Sequence, residues 1–211
     1  MPKPIPRLML VTRKGNTPLK KYLELIETCA SHGVDTVQLR EKHMNQTELL
    51  SFGKALKKIL QPLNVSLIVN DNIKLALALD ADGVHLGQKD ESTKRARKIL
   101  GPDKLVGLSV NTLAEVERAN TLPINYLGVG AIFPTQNKSN ITTLWGIDGL
   151  SEVIAISKHP VIAIGGIDET NATLVHNTNV VGMAAIGAFH DTSNPIETTE
   201  FLHQLFTRPL C

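Results

Sequence analysis

Short apolar runs and longer amphipathic segments alternate along the whole chain. The apolar runs lie at 8–12, 36–40, 65–70, 83–86, 105–109, 126–130, 161–164 and 180–185. Each is only four to six residues long. Continuous short runs of this kind suit strands that are buried on both faces. The segments between them, at 19–32, 46–60, 73–79, 92–100, 113–120, 148–158, 169–177 and 195–206, carry the polar and apolar spacing of helices. Strict strand–helix alternation predicts a parallel sheet with helices outside it. Eight such units within 211 residues predict an α/β protein of one domain, 1–211, closed as a (βα)8 or TIM barrel. No Ser/Gly-rich linker divides the chain.

In such a barrel the chemistry sits at the C-terminal rim of the strands, so the residues that end each strand become the candidates. The stretch from 69 to 90, VNDNIKLALALDADGVHLGQKD, reads as strand end, helix, strand and strand end. Asp71 and Asp90 each follow a strand, and on parallel neighbours they share one rim. Two hard carboxylates there suit one Mg²⁺, which takes oxygen ligands and keeps several waters and substrate phosphates. The spacing equally allows each Asp to cap the helix that follows it.

The second strand ends Gln38-Leu39-Arg40-Glu41-Lys42. Alternation turns Gln38, Arg40 and Lys42 to one side, and Val37 and Leu39 to the other. The apolar set belongs against the helices, which leaves a glutamine and two cations facing the barrel mouth. Unpaired buried charge is costly. An anionic ligand removes the cost, and so does a salt bridge to Glu41 or Asp71. The same alternation turns Asn70, His85 and Ser109 inward. His85 is read as a hydrogen-bonded core histidine. No Ser–His or Cys–His arrangement for a protein nucleophile stands out.

A connection of fifteen residues, 131–145, follows the sixth strand, and it is long for such a loop. It carries Thr135 and Lys138, and reads either as a lid or as a solvated surface loop. Trp145, the one tryptophan, is expected to anchor its far end by packing. The seventh strand ends in Gly165-Gly166 and the eighth in Ile186-Gly187. Glycines there admit close backbone approach to a ligand, and the loops after strands seven and eight often bind phosphate. A tight turn also explains a Gly-Gly pair.

Composition adds mainly exclusions. The net charge of +2 gives no strong pull toward nucleic acid or membrane. The N-terminal apolar run is too short for a signal peptide. Cys29 and Cys211 form neither a disulfide framework nor a metal spacing, which fits a reducing cytoplasm.

The motifs taken together resemble the thiamine-phosphate synthase (thiamine-phosphate pyrophosphorylase) family. They are QLREK at 38–42, VNDN at 69–72, ADGVHLGQKD at 81–90, GLSVNT at 107–112, GVGAIFPTQNK at 128–138 and AIGGI at 163–167, in the family's order. The resemblance implies a (βα)8 barrel that joins hydroxymethylpyrimidine diphosphate to a thiazole phosphate, releasing diphosphate. It implies that Asp71 and Asp90 hold one Mg²⁺. It also implies that Gln38, Leu39, Arg40, Glu41, Lys42, Asn70, Ser109 and Lys138 form the pyrimidine diphosphate side. Of these, Arg40, Lys42, Ser109 and Lys138 are the catalytic set. Thr135, Gln136, Asn137, Gly166, Ile186 and Gly187 are implied around the thiazole phosphate. The partners implied are these small molecules, with self-association left open. The chain departs from the family at Asn137 (commonly Thr), at Gly187 (commonly Ser) and at Asn111 (commonly His). Two other readings share the resemblance. One is the thiazole tautomerase branch, which carries a histidine where this chain has Ala131. The other is a non-catalytic ligand-binding relative, which has no use for retained inward charge.

Overall fold

The computed structural model describes residues 3–136 and 143–207. Asn137 and Lys138 therefore lie outside the described residues. In chain order the elements are β1 (Leu8–Val11), α1 (Leu19–Ser31), β2 (Thr36–Leu39), α2 (Gln46–Leu60), a 3-10 turn (Gln61–Leu63), β3 (Ser66–Asn70), α3 (Ile73–Ala78), β4 (Gly83–Leu86), α4 (Thr93–Leu100), β5 (Leu105–Val110), α5 (Leu113–Ala119), β6 (Tyr126–Val129), α6 (Gly146–Ile156), β7 (Val161–Ile164), α7 (Ala172–His176), β8 (Gly182–Ala185), α8 (Gly187–His190) and α9 (Pro195–Thr207). All eight strands are parallel to their neighbours and close in sequence order, β1 pairing with β8. The expected barrel is the observed one.

Alternation along the strands sorts the apolar side chains into two sets. Leu8, Leu10, Val37, Leu39, Val69, Val84 and Leu86 belong to the large cluster between barrel and helices. Met9, Val11, Tyr126, Ile162 and Ala184 form a small cluster inside the barrel. Fully burying one such aliphatic side chain is worth about 1.5–3 kcal/mol, so the outer sleeve dominates stability. The inside is occupied partly by rings, for which two glycines leave the space. A Cβ at Gly107 would stand 2.3 Å from Tyr126 Cζ and 2.6 Å from His85 Nδ1. At Gly128 it would stand 2.8 Å from His85 Cε1.

Strand β8 starts at Gly182 rather than 180, and three helices depart from the expected bounds by more than one residue. Helix α7 starts at Ala172 rather than 169, because Asp168–Asn171 close on themselves. Asn171 Oδ1 accepts from Asp168 N–H at 3.0 Å, and Asp168 Oδ1 accepts from Thr170 N–H at 2.9 Å. Helix α6 starts two residues early, at Gly146, whose φ of +63° lets it turn out of the preceding loop. Helix α8 has no counterpart in the sequence pattern. Its four residues, GAFH, are too short to show a helical period.

Candidate active site

The parallel register brings the strand ends to one level. Asn70 is the Cα partner of His85, His85 of Gly107, and Ser109 of Gly128. Above them opens a cavity of about 760 Å³ at the C-terminal mouth of the barrel. Gln38, Arg40, Lys42, Asn70, Asp71, Asp90, Ser109, Thr135, Gly166, Ile186 and Gly187 all line it.

Neither aspartate caps a helix. Helix α3 is capped by Asn72, whose side chain accepts from Leu75 N–H, and α4 by Ser92, which accepts from Arg95 N–H. The capping alternative therefore fails at both positions, and the two carboxylates are left to each other. Asp71 sits in the left-handed region with φ +64°, and its N–H is held by the His85 carbonyl at 2.8 Å. Asp90 Oδ2 accepts from Gly87 N–H at 2.6 Å. The Asp71 pKa is raised from 3.8 to about 6, first by withdrawal from water, then by the hydrogen bond and like charge of Asp90. A hydrogen bond from the Asn70 side chain, and then the charge of Arg40, pull the other way. A cation between the two carboxylates would remove the repulsion that lifts this pKa, so the donor set fits a hard divalent ion.

The cations beside them are not consumed by carboxylates. Among the described residues, neither Arg40 nor Lys42 lies within ion-pair distance of an acid. The salt-bridge alternative fails for Glu41, which instead accepts from Lys14 N–H at 2.8 Å and so ties the loop after β1 to that after β2. Arg40 is half-buried, and that burial lowers its pKa, with Asp71 and Glu41 opposing. Its N–H is anchored on Thr12 Oγ1 at 2.9 Å. Leu39, in contrast, packs its side chain into the outer sleeve and presents only backbone to the mouth. Gln136 lines a second, neighbouring cavity that Arg40 and Lys42 also reach.

The floor carries groups that the sequence reading did not connect. His85 Nε2 lies 2.8 Å from Ser109 Oγ, and its Nδ1 lies 3.1 Å from Tyr126 OH. A Ser–His contact thus exists where none was expected. The group on the far side of the imidazole is a phenol rather than a carboxylate, and burial raises the pKa of that phenol. The arrangement therefore orients the Ser109 hydroxyl and lacks the acid that a nucleophile triad uses. Gln88 Nε2 donates to Ser109 O at 2.7 Å, so Ser109 is held at both ends. Gln38, buried, donates to Met9 Sδ at 3.3 Å. Only strand pairing could have revealed the His85–Ser109–Tyr126 set, since its members come from three strands.

Across the mouth, Gly165 and Gly166 have φ of +100° and +69°. A Cβ on Gly166 would stand 2.6 Å from Pro134 O. The pair is therefore a tight turn packed under the β6–α6 connection, and it lines the cavity as well. The Gly165 carbonyl accepts from Phe133 N–H at 2.9 Å. The C=O and N–H of one trans peptide point oppositely, so the Gly166 N–H is aimed away from Phe133. Trp145 closes the base of this connection as expected. Its ring packs on the main core, and its backbone N–H donates to Ala131 O at 2.9 Å. Thr143 Oγ1 donates to Asn111 O at 2.7 Å, and Asn111 is itself tied to Glu115.

These features define a class: a (βα)8 barrel whose C-terminal mouth sets paired carboxylates and uncommitted cations against glycine turns. The family model for thiamine monophosphate synthase matches residues 8–189. Thiamine-phosphate synthase of Chlamydia caviae is 49% identical over 204 residues, covering 97% of this chain and 96% of that protein. The Vibrio parahaemolyticus enzyme of the same name is 42% identical, covering 94% and 97%. The solved thiamine phosphate pyrophosphorylase of Pyrococcus furiosus superposes with a TM-score of 0.84 at 32% identity, covering 95% of each chain. The chain belongs to the thiamine monophosphate synthase family, and with it to the transferases of thiamine biosynthesis.

Proposed function

We propose that the protein joins 4-amino-2-methyl-5-hydroxymethylpyrimidine diphosphate to 4-methyl-5-(2-phosphoethyl)thiazole, giving thiamine phosphate and diphosphate. One observation carries the reading beyond family membership. The same cavity wall that holds Asp71 and Asp90 holds Arg40 and Lys42 free of ion pairs with described acids, while Gly166 and Gly187 line the opposite wall. A polyanion on one side and a phosphate on the other account for both walls.

In the reaction, the bond from the pyrimidine methylene carbon to the diphosphate oxygen breaks, and its electron pair leaves with diphosphate. The lone pair of the thiazole nitrogen then forms the new C–N bond. The amino-pyrimidine delocalises the positive charge on its methylene, so a dissociative route needs no protein nucleophile. Arg40 and Lys42 neutralise charge growing on the departing oxygens. Lys138, outside the described residues, adds a third cation in this reading. Asp71 and Asp90 would hold one Mg²⁺, which supplies further neutralisation of diphosphate charge when bound. Gln38 and Ser109, pinned by Met9, His85 and Gln88, face the pyrimidine with oriented polar groups. The test is to incubate the full chain with both substrates and Mg²⁺, and to follow thiamine phosphate by mass. No product, with both substrates left intact, would refute the reading.

The departure at Gly187 gives a prediction of its own. Family members commonly carry a hydroxyl there. Gly187 has no positive φ, and it opens a helix, so serine meets no backbone penalty. Gly187→Ser should lower KM for the thiazole phosphate by up to about tenfold, as one added hydrogen bond to an anion allows. KM for the pyrimidine diphosphate should stay put. Equal movement of both constants, or none in a folded variant, would show that the hydroxyl is not missed at this wall.

A further inference from the structure

Behind the Ile186–Gly187 wall lies a polar chain that the chemistry above does not use. Tyr22, buried on α1, accepts from Arg13 N–H at 2.8 Å. Its hydroxyl lies 2.7 Å from His190 Nε2, and the two rings stack with centroids 5.6 Å apart. His190 Nδ1 lies 2.7 Å from the Ile186 carbonyl oxygen. A carbonyl only accepts, so Nδ1 carries the hydrogen. Burial lowers the His190 pKa, with Arg13 adding to the effect while the Ile186 hydrogen bond and Asp191 oppose it. That shift favours the neutral ring, whose Nε2 accepts from the Tyr22 hydroxyl. Every donor in the chain is thus assigned. Arg13 N–H donates to Tyr22, Tyr22 donates to His190, and His190 donates to the Ile186 carbonyl.

The Ile186 carbonyl belongs to the peptide that ends in the Gly187 N–H. That peptide is trans, since among the described residues only the Gly130–Ala131 bond is cis. Its N–H and C=O point in opposite directions. Whatever fixes the carbonyl therefore aims the N–H. The backbone N–H groups of Phe189 and His190 reach the same oxygen at 3.2 Å each, longer than the imidazole contact. At Gly166 one backbone donor, Phe133 N–H, holds the preceding carbonyl, whereas at Gly187 two backbone donors hold it and the His190 side chain adds a third, shorter contact.

We propose that His190, braced by Tyr22, is a positioning residue that aims the Gly187 N–H at the phosphate of the thiazole substrate. This rests on the assignment of that phosphate to the Gly166–Gly187 wall. The chain also links the first and last barrel units, because Tyr22 comes from α1 and His190 from α8. An ion pair of Arg13 with Asp191 closes the same seam from the outside.

The experiment measures KM for both substrates in the full chain, comparing wild type, His190→Leu, His190→Asn and Tyr22→Phe. His190→Leu should raise KM for the thiazole phosphate roughly tenfold, the size expected when an aimed donor is lost. KM for the pyrimidine diphosphate should stay within about twofold. His190→Asn places an amide N–H where Nδ1–H stood and should restore most of the lost affinity. A role confined to stability would lower the melting temperature and leave the ratio of the two constants unchanged, and that result overturns the proposal. So does failure of asparagine to rescue. Should His190→Leu not fold, Tyr22→Phe removes a single oxygen and its KM ratio decides. A wild type that forms no thiamine phosphate refutes the substrate reading itself. An active wild type with variants of unaltered KM ratio refutes only the role of His190.

Discussion

Replacing both rim carboxylates, Asp71→Asn with Asp90→Asn, is expected to abolish turnover and to raise stability in metal-free buffer near pH 7. The first half follows from the loss of the paired oxygen ligands that would hold Mg²⁺. The second follows from the charge they carry. The Asp71 pKa is raised from 3.8 to about 6 by burial and by Asp90. The folded state therefore keeps a proton that the unfolded chain has released. Such a group adds stability below pH 3.8 that is lost as pH rises through about 6. Above that, the ionised pair strains the native state. Water reaches the pair and Arg40 offsets part of the repulsion, so the gain from asparagine is on the order of 1 kcal/mol. That corresponds to about 2–4 °C in Tm for a chain of this size. Asparagine also tolerates the left-handed backbone at 71. Activity and thermal unfolding measured side by side, with and without Mg²⁺, check both halves. A double variant with near-normal rate would sink the shared-ion reading. A fall in metal-free Tm would say that the carboxylates hold the fold.

Arg40→Lys is expected to cost about tenfold or more in kcat/KM although the charge is kept. A guanidinium offers two parallel N–H donors to a diphosphate, and an ammonium presents a point charge. The half-buried position of Arg40, with its N–H fixed on Thr12, leaves a substitute little room to compensate. The loss should appear with the pyrimidine diphosphate varied, and stability should hardly change, because no ion pair to a described acid is broken. A rate within twofold of wild type would show that the charge at position 40, and not the guanidinium fork, is what the reaction uses.

Much of the rim was legible from alternation. Gln38 faces inward and Leu39 outward because successive side chains in a strand point oppositely, and one cavity collects Asp71, Asp90, Arg40 and Lys42 because parallel strands end at one level. The competing local readings at these positions were settled by neighbours. Asn72 and Ser92 take the caps that Asp71 and Asp90 would otherwise have filled, and Glu41 binds Lys14 N–H rather than a cation.

The order of strands and helices, the closure into eight units and the residues that end each strand were set by local pattern, because burial on both faces writes a continuous apolar run into each strand and burial on one face writes a helical period into each helix. What the pattern does not carry is contact between residues far apart in the chain. The Ser109–His85–Tyr126 floor joins β5, β4 and β6, and the Tyr22–His190 chain joins positions 168 apart. Neither has a sequence period, since each member is a single side chain whose partner is chosen by strand register and ring packing. The direction of the Gly187 N–H belongs to the same group, because it follows from the Ile186 carbonyl, whose shortest contact is with a side chain four residues beyond. Sequence alone therefore determined which residues stand at the rim, and the tertiary structure decided which way they are held.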